Sequence, residues 1–114
     1  MRVRKFSPMQ IPAQDVARAV RFYREVFDLP TQFGEQEERH LFFHEEPIHF
    51  NQTAPFEPIT VQVVVRDHQE AVENHLINYA VPQVAPMSQA PDGQHVIFHL
   101  VDFEGNRIQV IANK

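Results

Sequence analysis

Glutamine and histidine are the residues of this chain whose types and places could do chemistry. Gln10, His49, Gln62 and Gln109 each stand between two apolar neighbours: Met9 and Ile11, Ile48 and Phe50, Val61 and Val63, Ile108 and Val110. Successive side chains of a strand point to opposite faces, so each of the four faces away from whatever its neighbours pack against. Thr60 and Asn51 lie two residues from Gln62 and His49 on the same faces. An amide offers donors and acceptors without charge, and an imidazole adds a base or a metal ligand. Two readings stay open for this set: a wet sheet face, or a shared pocket.

The seven histidines raise the question of a metal. His40 and His44 are in phase on one strand, as are His95 and His99 on HVIFHL. Pairs four apart on a strand lie about 13 Å from each other, too far for one ion. A site would need several strands, and His99 is the histidine that could meet His49. His75 falls on the inner stripe of a helix, and His68 in its first turn. No cysteine is present, which removes disulfides and thiolate ligands. No phosphate loop, dinucleotide fingerprint or nucleophile elbow occurs. The acidic run from Glu35 to Glu46 reads as a solvated edge.

Elements that could position these residues come in two matching sets. FSPMQIPA reads as a short strand. Asp15 then caps a helix whose Val16, Ala19, Val20, Tyr23, Val26 and Phe27 recur at helical spacing. Leu29-Pro30 ends it, and TQFGEQEE, RHLFFHEE and PIHFNQ follow as three short strands. The proline-rich stretch Asn51 to Pro58 is a connection. ITVQVVVR is the clearest strand. Asp67 and Glu70 form a capping box for a second helix, with Ala71, Val72, His75, Leu76 and Tyr79 inward. Strands at VPQVAPM, HVIFHLV and RIQVIA follow, separated by turns at Pro91-Asp92-Gly93 and Glu104-Gly105-Asn106. The order is βαβββ twice, with Gln10 and Gln62 as repeat mates and His49 as the counterpart of Gln109. We expect an α+β fold: one domain, 1–114, of two tandem βαβββ modules, about 1–54 and 59–114. The two sheets form a cupped, barrel-like surface with the helices outside.

The 114 residues suffice for one domain with a core. The net charge of −5 argues against nucleic acid and against anionic membranes as partners. No apolar run reaches the roughly 20 residues of a membrane span, and no signal peptide is visible, so a cytoplasmic location is the expectation. Ten phenylalanines are present. Phe33, Phe42, Phe43, Phe50, Phe56, Phe98 and Phe103 exceed what one thin helix–sheet core needs, so some line a cup, a dimer interface or plain core.

QDVARAVRFYREVFDLP, followed near the end by DFEGNRIQV, resembles the vicinal oxygen chelate superfamily of glyoxalase I, bleomycin-resistance proteins, fosfomycin-resistance enzymes and extradiol dioxygenases. Asp15, Phe22 and Tyr23 match its first signature. Asp102, Glu104, Gly105 and Asn106 match its second, with Phe103 where proline is common. The resemblance implies a cup that in metal-dependent members holds a divalent ion through His and Glu on the first and last strands of each module. Those places fall here on Pro8, Thr60, Gln109 and His49, or Asn51 if the register slips. Proline and neutral amides are poor substitutes for imidazole and carboxylate, so no metal and no other cofactor is expected.

The functional expectation is a glyoxalase/bleomycin-resistance-like homodimer that holds a small organic molecule in a metal-free cup through Gln10, His49, Thr60, Gln62, His99 and Gln109. The first alternative is a lyase, isomerase or dioxygenase with an atypical histidine site, in which His49 is the candidate general base. The second is a regulatory or interaction module.

Overall fold

A computed structural model describes residues 1–33, 39–52 and 57–114. The first part of the acidic run, at 34–38, Phe56, and the side chains of Phe33 and His40 lie outside the described residues, while Glu45 and Glu46 at its end are exposed. The elements are β1 (Val3–Ser7), β2 (Gln10–Pro12), α1 (Val16–Phe27), β3 (Thr31–Phe33), β4 (Arg39–Phe43), β5 (Glu46–Asn51), β6 (Thr60–His68), α2 (Gln69–Asn78), β7 (Gln83–Gln89), β8 (His95–Val101) and β9 (Arg107–Asn113). They form two sheets, ordered β2-β5-β4-β3 and β1-β6-β9-β8-β7. Apart from β1 the orders match: in each, the strand before the helix pairs in parallel with the last strand of its set. This is the tandem βαβββ architecture expected from the sequence.

The first set opens differently from expectation. The segment read as one strand is two, and its upstream half belongs to the second sheet. β1 pairs antiparallel with β6, Phe6 opposite Val63 and Ser7 opposite Gln62, whereas β2 joins β5. The alternation Val3, Phe6 does not advertise a strand among Arg2, Arg4 and Lys5. Its pairing depends on β6, more than 50 residues away. Phe6 carries the joint: it is buried and packs edge-on against Tyr23 and Phe27 of α1, with ring centroids 6.0 and 6.5 Å apart.

Helix α1 forms as its spacing predicts. Asp15 accepts a hydrogen bond from the Arg18 backbone N–H at 3.1 Å, and Asp28 ends the helix in the left-handed region at φ 52°. Ala19, Val20, Phe22, Tyr23, Val26 and Phe27 are buried, and the helix lies against β4 and β5. Helix α2 lies against β6 and β9 and has no capping box. β6 runs on to His68, which is the N-cap without a side-chain bond. Asp67 instead accepts from the backbone N–H of Arg2 at 2.7 Å and from its Nε at 3.3 Å, because β1 brings both donors to the end of β6. Of the inner stripe expected for α2, Val72 and Leu76 are buried and His75 is half-buried, while Ala71 and Tyr79 are exposed. His44 is likewise not on a strand face. It sits with Glu45 in the β4–β5 turn, both at positive φ. Of the phenylalanines, Phe98 is core, Phe43 and Phe50 pack against the core, Phe42 is half-buried and Phe103 is 59% exposed.

Candidate functional site

The two sequence signatures meet at a joint between the modules. The Asp102 carboxylate is buried. It accepts from Tyr23 Oη at 2.7 Å, from the backbone N–H groups of Glu104 and Asn106 at 2.9 Å each, and from Asn106 Nδ2 at 2.9 Å. Asn106 also donates to the Pro12 carbonyl at 2.9 Å and accepts from the Ile59 N–H at 3.1 Å. Gly105 makes the turn possible with φ 86°. Burial raises the Tyr23 hydroxyl well above its usual pKa, and the neighbouring Asp102 charge adds to that. Among the described residues no buried side-chain polar atom lacks a partner. These groups are therefore saturated by one another: they hold the first helix to the last hairpin rather than face a ligand.

The open chemistry lies on the strands. Burial alternates along β6, β8 and β9: Val61, Val63, Val65, Phe98, Leu100, Ile108 and Val110 point into the core. The residues between them line the other face. There Gln62 is in register with Gln109, and Gln109 with His99. Gln62 Nε2 donates to Gln109 Oε1 at 3.2 Å, and His99 Nε2 lies 2.9 Å from Ser88 Oγ on β7. Ser7 of β1 stands opposite Gln62. The result is a polar row crossing all five strands. One step along, Val64, Ile111 and Ile97 form a half-buried apolar row. One step the other way, Thr60 pairs with Arg107.

The residues expected at the site fall into two groups. Thr60, Gln62, His99 and Gln109 share this face of the larger sheet. Gln10 and His49 are direct register partners on the smaller sheet, both exposed. Ser88 was not foreseen: β7 changes register between Ala85 and Ser88, and a local irregularity leaves no periodic signal. Arg107 joins the same face, as its spacing of two from Gln109 requires.

Metal-dependent members of the superfamily that the sequence resembles hold a divalent ion through His and Glu, and the donor set here differs. Pro8 has no side-chain ligand. Thr60 offers a neutral hydroxyl, and Gln109 Oε1 already accepts from Gln62. Among the described residues no three of His, Asp and Glu come together to hold an ion. The described residues do not suit the His and Glu coordination of the metal-dependent members.

Paired sheets of this order, with helices on their apolar faces, match the general glyoxalase/bleomycin-resistance fold. Solved structures agree. A virulence protein from Salmonella typhimurium superposes with a TM-score of 0.72 at 15% identity, over 92% of this chain and 93% of that one. Lactoylglutathione lyase from Agrobacterium tumefaciens gives 0.70 at 15% identity, over 90% and 89%. A glyoxalase/bleomycin resistance protein/dioxygenase from Alicyclobacillus acidocaldarius gives 0.62 at 17% identity, over 91% and 87%. No family model matches the sequence, and no curated protein matches it.

Proposed function

We propose that this chain is a binding protein: a homodimer that holds a small organic molecule against its open sheet faces without a bound metal. The observation that supports this reading most is the bonded amide pair Gln62–Gln109 with His99 beside it, set at mid-sheet next to the apolar row Val64, Ile111, Ile97. A polar edge beside an apolar strip suits a ligand with one polar side and one apolar face. Gln10 and His49 would contribute from the smaller sheet. Native mass spectrometry and metal analysis of protein purified without chelator test the proposal. A co-purifying organic ligand and sub-stoichiometric metal are expected. One divalent ion retained per chain would sink it.

A second reading, a lyase, isomerase or dioxygenase, draws on the contact between His99 and Ser88. A hydroxyl bonded to one ring nitrogen can orient an imidazole for general-base work. Turnover of a glutathione hemithioacetal or a catechol with added Zn, Ni, Mn or Fe(II), lost in His99→Ala or His49→Ala, would favour it over sequestration.

A further inference from the structure

We infer that the ligand held by the Gln62–Gln109–His99 row is an organic anion, a carboxylate with a flat apolar body, and that Arg107 is the residue that anchors its charge. The inference rests on the binding reading above and adds the ligand's chemical class. Its basis is how charge is distributed over the fold. The chain carries 15 acidic residues against 10 lysines and arginines. Among the described residues, the β1, β6, β8 and β9 positions on the open face reverse that balance. They carry Lys5, Arg66 and Arg107 and no aspartate or glutamate. Asp92, at the turn before β8, is engaged by the Gln94 and His95 backbone N–H groups and the His95 ring, and Glu104, in the turn before β9, accepts from the Asp15 backbone N–H.

Arg107 is the cation next to the polar row. It begins β9, opposite Thr60 on one side and Val101 on the other. It is exposed, and it precedes Gln109 by two residues on the same face, about 6.6 Å along the strand. A guanidinium offers a carboxylate two parallel hydrogen bonds. The Thr60 hydroxyl and the Gln62 and Gln109 amides stand within one or two strand positions and can complete the donor set. The apolar row lies beyond the glutamines, with Lys5 opposite Val64 at the sheet's margin. A carboxylate anchored at Arg107 therefore directs its body across the amides and onto Val64, Ile111 and Ile97.

The test uses 2-naphthoate and its neutral isostere 2-naphthamide, titrated into 15N-labelled protein while the Gln62 and Gln109 side-chain NH2 signals are followed. Naphthoate is expected to shift these signals saturably and to bind at least about tenfold tighter than naphthamide. Arg107→Gln should erase that preference, losing roughly ten- to a hundredfold for naphthoate and little for naphthamide, as expected for one charge-assisted contact. A backbone spectrum unchanged outside β9 shows that the variant folds. Arg66→Gln, at the far end of β6, should leave both affinities within about twofold, since it lies beyond direct reach of the row. Equal binding of the two probes at the glutamines, unaltered by Arg107→Gln, overturns the anion assignment and leaves the binding reading standing. Absence of shifts at Gln62 and Gln109 with either probe overturns both.

Discussion

Asp102 shows at the residue scale why a recognisable motif need not be an active site. Asp102 and Asn106 match a signature of the superfamily the sequence resembles, but each of their polar groups is consumed within the joint between modules. Tyr23→Phe removes one donor from a buried carboxylate and should cost about 1.5–3 kcal/mol in urea unfolding. The same variant has a pH signature. Tyr23 titrates far higher folded than unfolded, so its contribution is complete below the unfolded value near 10 and declines as pH rises toward the folded one. Stability of the parent should therefore fall more steeply above about pH 10 than that of Tyr23→Phe. Equal slopes would mean the hydroxyl is not so held. The open glutamines are the contrary case. Gln62→Ala, exposed on the sheet face, should change stability by less than about 0.5 kcal/mol, as surface substitutions usually do.

Elements differ in how far their own sequence specifies them. Helix α1 has its cap and its apolar stripe within 13 residues, so it is legible without the fold, and Asp15→Ala should cost about 1 kcal/mol. The capping box read at Asp67 and Glu70 is equally good as a pattern, yet the chain spends Asp67 on Arg2 instead. Arg2 is too distant in sequence for a local pattern to anticipate. Glu70→Ala should accordingly leave unfolding unchanged within about 0.5 kcal/mol. Asp67 resists protonation in the fold. Burial opposes this, but the hydrogen bonds and charge of Arg2 and the terminal amine prevail. Its contribution is therefore present above the unfolded aspartate value near 3.9 and is lost as pH falls through the lower folded one. Asp67→Asn should flatten that part of the acid limb. β1 is the element with the weakest local signal and a large structural role. Phe6→Ala empties a site lined by Tyr23, Phe27 and Phe43 and should cost about 3–5 kcal/mol.

Across the whole molecule, the duplicated βαβββ order makes the two sheets resemble each other, and the register repeats it: Gln10 with His49, Gln62 with Gln109. The sheets are not equal. The larger one, extended by β1, carries the bonded amides, the histidine–serine contact and the cations. The smaller offers Gln10 and His49. For the proposed homodimer, the edge strand β7 with its 56% exposed Val84 is the interface to probe. Val84→Glu should then shift sedimentation toward the monomer, and an unshifted profile would place the interface elsewhere.

Periodicity alone was enough for the two helices, the alternating faces of β6, β8 and β9, and the duplication, because apolar spacing follows from local backbone geometry. It also put Gln62 and Gln109 on the face away from the core. Only the folded chain could join Asp102 to Tyr23, divide the N-terminal strand between two sheets, take Asp67 away from α2, and bring Ser88 to His99. Each of those depends on which distant strand becomes a neighbour, and a residue's own surroundings in sequence carry no record of that choice.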